Sequence, residues 1–215
     1  MRAAVPRVAE TFTSLQGEGT AAGRPCFFIR MAGCNLRCTY CDTAYAWEGG
    51  ETIPPGGLVG RWRESGVPLV EVTGGEPLLQ PETPELLGRL LAAGAEVLLE
   101  TNGSLPLDPV PPGVTCIVDR KTPGSGVAGA WRPENLARLR AGDQVKFVLT
   151  GRADYDWAVA ELGGWRLPPG VEVLFSPAWG RLAPADLAEW ILADRLPVRF
   201  QLQLHKLLWG DRQGV

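Results

Sequence analysis

Short apolar runs alternate with segments whose apolar residues return every three or four positions, and this alternation fills the chain from residue 58 onward. Residues 25–31, Pro-Cys-Phe-Phe-Ile-Arg-Met, are apolar except for Arg30 and predict a buried strand. Residues 69–72, 96–99, 114–118, 145–149, 171–175 and 199–204 predict further strands. Residues 8–14 alternate imperfectly and predict a first short strand. Helical periodicity predicts helices over 58–65, 84–93, 133–139, 153–162 and 182–193. Leu86, Leu87, Leu90 and Leu91 share one face of the second, and Gly94 can end it. Pro133 favours initiation of the third. Tyr155 and Trp157 are packing residues of the fourth, and Leu187, Trp190 and Ile191 face the core from the fifth. Residues 54–57 and 106–113 read as loop, Gly124, Gly126 and Gly129 as a mobile loop, and residues 210–215 as a polar tail.

Strands alternating with helices build right-handed βαβ units and a mostly parallel sheet. The predicted class is therefore α/β: a partial (β/α)6-type barrel of mostly parallel strands, one domain over residues 1–215. Six or so strands suit a partial barrel better than a closed eight-stranded one. Ligands of such sheets bind beyond the carboxyl ends of the strands. Each polar motif follows a predicted strand: the cysteine loop after residue 31, Thr73-Gly74-Gly75-Glu76-Pro77, Glu100-Thr101-Asn102-Gly103, Asp119-Arg120-Lys121, and Gln203 with His205. They are expected to converge on one face.

A formal charge of −3 argues against a broad nucleic-acid surface. No apolar run is long enough to cross a bilayer, and residues 1–6 lack the apolar core of a signal peptide, so a cytoplasmic location is expected. Five cysteines, three of them clustered, fit a reducing compartment better than a disulfide scaffold. Cys26 and Cys116 sit in apolar runs and read as core residues, with Cys26 as a further metal ligand the alternative.

The chemistry concentrates in Cys34, Cys38 and Cys41, spaced C-x3-C-x2-C after an apolar strand. A structural zinc site normally closes with four Cys or His ligands, and the one histidine, His205, is far along the chain. A cubane iron–sulfur cluster held by three thiolates instead of the usual four keeps one iron open for a substrate or cosubstrate. Arg30 inside an apolar run requires an anionic partner, either a structural carboxylate or a ligand carboxylate. Taken alone, Glu76 reads more readily as an exposed acid in a turn and Thr43 as a loop hydroxyl that caps a backbone group, and Asn102 and Lys121 read also as solvated loop residues.

The cysteine spacing, with Tyr40 just before the last cysteine, resembles the radical S-adenosylmethionine (SAM) superfamily. Leu15-Gln16-Gly17-Glu18-Gly19, then Phe28-Ile29-Arg30 running into Gly33-Cys34-Asn35-Leu36, then Cys41-Asp42-Thr43, resembles the 7-carboxy-7-deazaguanine synthases within it. Thr73-Gly74-Gly75-Glu76-Pro77, Glu100-Thr101-Asn102-Gly103, Lys146-Phe147 and Gln203-Leu204-His205-Lys206 match the same family in the same order. The resemblance covers nearly the whole chain.

What it implies is a 4Fe–4S cluster on Cys34, Cys38 and Cys41, with SAM on the open iron and a 5′-deoxyadenosyl radical as its product. Tyr40, Cys41, Asp42, Gly74, Gly75, Glu76, Asn102, Asp119, Arg120 and Lys121 would contact SAM, Glu76 through the methionine ammonium. The Asp119-Arg120-Lys121 segment departs from the Ser-Pro-Lys-like sequence common there. Leu15, Gln16, Gly17, Glu18, Arg30, Thr73, Gln203 and His205 would contact a pterin, 6-carboxy-5,6,7,8-tetrahydropterin, with Arg30 on its carboxylate. Thr43 would be the one protein ligand of Mg2+. The implied reaction is ring contraction to 7-carboxy-7-deazaguanine with loss of ammonia, on the route to queuosine and other 7-deazapurines. A homodimer and an external electron donor such as flavodoxin or ferredoxin are implied as partners. A glycyl-radical activase would share the cluster and the Gly-Gly-Glu but leaves Gln16 to Gly19 and Arg30 unexplained. A non-catalytic iron–sulfur or zinc module conflicts with the missing fourth local ligand.

Overall fold

The structure, a computed structural model, describes residues 5–215. The leader expectation for residues 1–6 therefore falls mostly outside the described residues. The strands are β1 (Arg7–Leu15), β2 (Pro25–Met31), β3 (Glu51–Thr52), β4 (Leu69–Gly74), β5 (Glu96–Thr101), β6 (Thr115–Asp119), β7 (Gln144–Leu149), β8 (Glu172–Pro177) and β9 (Arg199–Phe200). The α-helices are α1 (Pro55–Ser65), α2 (Thr83–Ala92), α3 (Arg152–Gly163), α4 (Pro184–Asp194) and α5 (Leu204–Trp209). The strands form one open sheet in the order β3-β1-β2-β4-β5-β6-β7-β8-β9. β1 pairs antiparallel with β2 and β3, and every other pairing is parallel. The six longer parallel strands, β2 and β4 to β8, are those the alternation predicts. Among the described residues no helix is long and apolar enough to cross a membrane.

The period of two along each strand separates two chemistries. One face, covered by the helices, carries the main core: Phe27, Ile29 and Met31, then Val70 and Val72, Val97 and Leu99, Val118, and Val145, Phe147 and Leu149. The opposite face has a small apolar layer of Cys26, Phe28, Leu69, Leu98 and Ile117. Toward the strand ends it turns polar, with Arg30, Thr73, Glu100, Asp119 and Lys146. Strand alternation alone puts these charges on the concave side.

Four sequence expectations are corrected. Residues 54–57 are not all loop, because α1 already starts at Pro55, whose fixed φ suits a first helical position. Residues 133–139 form a 3-10 turn over Pro133–Arg138 rather than an α-helix. Its buried Asn135 is committed to the preceding loop, accepting from Leu107 N at 3.1 Å and donating to Leu105 O at 2.9 Å. The last strand stops at Phe200 instead of residue 204. There Gly19 N donates to Gln201 Oε1 at 2.7 Å and Leu204 N donates to Gly17 O at 2.9 Å, which divert the chain into α5. The loop around Gly124 and Gly126 is pinned: Thr39 N and Oγ1 donate to Ser125 O and Gly124 O at 3.0 and 2.8 Å, and Gly124 N donates to Asp154 at 2.8 Å.

Gly74 and Gly75 set the height of β4 against the cysteine loop. Gly75 N donates to Met31 O at 3.0 Å and Glu76 N to Gly33 O at 2.8 Å. Gly74 has φ +128, and a Cβ there would lie 2.3 Å from Met31 O. A Cβ on Gly75 would lie 2.0 Å from Gly33 O and 3.1 Å from Cys34 Cβ. These neighbours are mostly backbone and cannot swing aside. Gly75→Ala is therefore expected to lower unfolding stability by roughly 2–4 kcal/mol. Chemical denaturation checks this, and a loss below about 0.5 kcal/mol would show that the loop tolerates displacement.

Candidate active site

A cavity of about 600 Å³ opens at the carboxyl ends of the parallel strands. Cys34, Cys38 and Cys41 line it, each partly buried and outside any disulfide. Their loop is fixed by the protein itself. Gly33 N donates to Ala46 O at 2.8 Å, and Arg37 Nη1 donates to Cys34 O and Leu36 O, both at 2.8 Å. The Arg37 guanidinium also lies 4.5 Å from the Trp47 ring centre. Leu36 N points to Cys34 Sγ at 3.4 Å, and Asn102 Nδ2 lies 3.9 Å from the same sulfur. Burial raises the Cys38 and Cys41 thiols, and the Lys121 ammonium works against that rise at both. Among the described residues no three His, Cys, Asp or Glu side chains converge as ligands of one metal ion. A polynuclear cluster asks less convergence, since each thiolate binds a different iron. Cys26 faces the small apolar layer below the cavity and is core, as is Cys116.

Most of the expected cofactor residues meet beside this loop. Tyr40, Cys41, Asp42, Gly74, Gly75, Asn102, Asp119 and Lys121 all line the cavity. Lys121 Nζ pairs with Asp119 Oδ2 at 2.7 Å and lies 5.8 Å from the Tyr40 ring centre. Tyr40 OH donates to Val148 O at 3.4 Å, and burial pushes its phenol up to about 12. Thr43 Oγ1 donates to Asp42 Oδ1 at 2.8 Å. Burial opposes ionisation of Asp42, but the His205 and Thr43 partners outweigh it and hold the carboxyl well below the usual range.

Two expected cofactor contacts are not on the cavity wall. Glu76 is fully buried, and its carboxylate accepts from Leu78 N at 2.9 Å, Thr101 Oγ1 at 2.8 Å and Asn102 N at 2.7 Å. Burial nevertheless pushes this carboxyl up to about 7. These bonds tie Glu76 to the end of β5. Arg120 points the other way, bonding Glu161 Oε2 through Nε and Nη2 at 3.1 and 2.8 Å and lying 4.4 Å from the Trp157 ring centre.

Every expected substrate residue, Leu15, Gln16, Gly17, Glu18, Arg30, Thr73, Gln203 and His205, lines the cavity. His205 comes close because residue 17 has no side chain: a Cβ there would sit 2.3 Å from His205 Nδ1. His205 Nε2 lies 3.7 Å from Asp42 Oδ2, so the end of the chain meets the cysteine loop. Arg30 Nε donates to Glu10 Oε1 at 2.8 Å, and its guanidinium lies 5.6 Å from the Phe12 ring centre. The structural carboxylate thus exists, yet Arg30 remains on the cavity wall. Gln203 Nε2 donates to Glu18 Oε1 at 3.0 Å.

Sequence reasoning did not single out Glu71, Glu100 and Lys146 as site residues. Gln16 Nε2 bonds the Glu71 carboxylate, and Lys146 Nζ bonds both Glu18 and Glu100. Burial and then the nearby Glu100 charge push Glu71 well up. The available signal was a charged residue on alternate positions of strands otherwise apolar: Glu71, Glu100, Asp119 and Lys146. Residues 211–215, expected as a polar tail, also line the cavity.

A family model described as the radical SAM superfamily matches residues 28–111, the segment from β2 through the Gly-Gly-Glu to the loop after β5. The fold agrees: QueE from Escherichia coli superposes with TM-score 0.78 at 23% identity, covering 94% of this chain and 95% of that one. Streptococcus suis SuiB bound to S-adenosylmethionine aligns with TM-score 0.53 at 14% identity, covering 79% of this chain and 45% of that one. Within that class, a 7-carboxy-7-deazaguanine synthase of Chlorobaculum tepidum is 45% identical over 97% of this chain and 96% of its own length. Proteins of the same name from Koribacter versatilis and Thermoplasma acidophilum are 42% and 35% identical, each over 97% of this chain. The chain belongs to the 7-carboxy-7-deazaguanine synthase family.

Glu76→Gln is expected to destabilise the fold by about 1–3 kcal/mol, because an amide NH2 must face at least one of the three donors now facing a carboxylate. Thermal unfolding of the apoprotein measures this without involving the cofactor. An unchanged midpoint would remove Glu76 from its role at the end of β5.

Proposed function

We propose that this chain converts 6-carboxy-5,6,7,8-tetrahydropterin to 7-carboxy-7-deazaguanine with loss of ammonia, by radical SAM chemistry. The observation that carries the reading is one cavity lined both by the three thiols and by Arg30, Gln16, Glu18 and Thr73. Cys34, Cys38 and Cys41 would hold a 4Fe–4S cluster, which together with SAM would supply the one-electron reductive chemistry. The half-buried thiols and their carbonyl-braced loop fit that group.

The chain's own residues then bind and orient. Gly74 and Gly75 let the end of β4 pack directly against the cysteine loop, and Tyr40, Asn102, Asp119 and Lys121 form the walls for SAM. Arg30 presents its guanidinium to the substrate carboxylate, a charge-assisted match that fixes which pterin carbon faces the cofactor. Thr43 and the ionised Asp42 offer adjacent oxygens, which suits a Mg2+ ion that keeps waters and binds substrate oxygens. A homodimer, a flavodoxin or ferredoxin as one-electron donor, a single domain and a cytoplasmic setting complete the reading.

Anaerobically reconstituted protein given SAM, dithionite and the carboxytetrahydropterin should form 7-carboxy-7-deazaguanine and ammonia. Reductant-dependent SAM cleavage with no pterin consumed would refute the proposal. Cys34→Ala, Cys38→Ala and Cys41→Ala should each lower bound iron and abolish turnover, read by iron analysis and visible absorption. Arg30→Ala should raise the substrate KM about 10- to 100-fold, the equivalent of a lost charged hydrogen bond of about 1.5–3 kcal/mol. An unchanged KM would confine Arg30 to its pairing with Glu10.

A further inference from the structure

Lys146 is a lysine in the middle of β7, 4% exposed, on the concave face of the sheet. It bonds the carboxylates of Glu18, from the loop after β1, and Glu100, from β5, and lies 3.4 Å from Asp119 Oδ1 at the end of β6. Burial alone would lower its pKa, but these three carboxylates together carry it well above the usual lysine value, so it stays an ammonium.

Each oxygen of the two glutamates has a separate protein partner. Glu18 Oε2 meets Lys146 and Glu18 Oε1 accepts from Gln203 Nε2. Glu100 Oε1 meets Lys146 and Glu100 Oε2 accepts from Thr73 Oγ1 at 2.8 Å. A carboxylate oxygen has capacity for a second donor, so this orientation leaves both groups able to accept from a ligand. Both line the cavity, and so does Arg30, a cationic counterpart. Without the ammonium, two carboxylates brought this close in a low-dielectric pocket would repel, and one would take up a proton or swing away.

We propose that Lys146 is a positioning residue whose ammonium holds Glu18 and Glu100 side by side as a twin-carboxylate receptor for the donor-rich 2-amino-4-oxopyrimidine edge of the substrate. The inference rests on the pterin reading above and adds the recognition of the ring end. Thr73 and Gln203 then act on the substrate through the glutamates, each fixing one carboxylate oxygen. The cavity reads a dipolar ligand: donors to the paired glutamates, carboxylate to Arg30. A carboxylate or amide that rejects an analogue lacking its hydrogen-bonding partner does so strongly, because its own buried group is left unpaired.

The test uses the reconstituted holoenzyme and anaerobic calorimetry. Lys146→Met is expected to raise the substrate Kd at least about tenfold while leaving SAM affinity and reductant-dependent SAM cleavage within about twofold. Wild-type enzyme should bind the 2-deamino analogue of the substrate about tenfold or more weakly than the substrate itself, and Lys146→Met should lose that preference. Lys146→Arg, which keeps the charge, should recover part of the affinity. If Lys146→Met does not fold, Glu100→Gln should show the same loss of preference for the 2-amino group. The proposal is overturned if Lys146→Met, or Glu100→Gln in its place, keeps the wild-type preference. It is equally overturned if substrate and SAM affinity fall together with the melting temperature, which marks a merely structural lysine. Failure of the pterin reading is distinguishable, since wild-type enzyme would then not consume the pterin at all.

Discussion

An ammonium removed from water is tolerated only where anions surround it, and the burial of Lys146 sets the terms for the concave side of this sheet. Its carboxylate partners come from the loop after β1, from β5 and from β6. None of the three acids is near another in sequence, so the ion cluster forms only when the parallel strands are in register. Conversely, the register leaves the acids facing each other at Glu71, Glu100 and Glu18, an arrangement that requires a cation. Lys121 repeats the device one position further out, between Asp119 and Tyr40. The line Glu18, Lys146, Asp119, Lys121, Tyr40 runs from the segment assigned to substrate to the cysteine loop. Alternating charge along that line neutralises a cavity that would otherwise be strongly acidic.

The thiols are organised by different means. Their loop depends on backbone hydrogen bonds and on the absence of side chains at Gly74 and Gly75, not on ion pairs. Arg37 folds back on the loop carbonyls, and the 123–126 turn holds Thr39 from the opposite side. A loop built this way presents sulfur before any cluster arrives, which reduces the ordering entropy that binding would otherwise face. Glu76 belongs to the same scaffold. Its three protein donors tie the Gly-Gly-Glu segment to the end of β5.

The strand–helix alternation made the six longer parallel strands legible, because each is a short apolar run between glycine- or proline-marked turns. The cysteine spacing and the motifs after each strand were legible too, since chemistry of this kind needs particular residues at strand ends. What the sequence could not convey was orientation. Arg120 and Lys121 are neighbours, yet one turns outward to Glu161 and Trp157 while the other turns into the cavity. Glu76 and Glu100 look alike as acids near glycine turns, and only tertiary packing separates the sealed one from the one on the wall. The 3-10 turn at Pro133–Arg138 was hidden for a related reason: a helix-favouring proline and leucine pattern was overridden by the hydrogen bonds of one buried asparagine.

The end of the sheet shows the same competition between local pattern and site. Residues 199–204 alternate well enough for a full strand, and β8 offers them an edge to pair with. Gln201 N still donates to Phe175 O of β8 at 3.0 Å, and the chain then leaves that edge because the loop after β1 presents other partners: Gly19 N for the Gln201 side chain and Gly17 O for Leu204 N. Residue 17 must lack a Cβ for His205 to fit, so the glycine early in the chain and the histidine near its end are matched by shape. Strand pairing given up at the edge becomes contact between the first and last segments across the mouth of an open sheet. That contact delivers Gln203 to Glu18 and His205 to Asp42. The open sheet thus obtains, through side chains and one tight loop, the enclosure that a closed barrel would obtain by hydrogen-bonded strands.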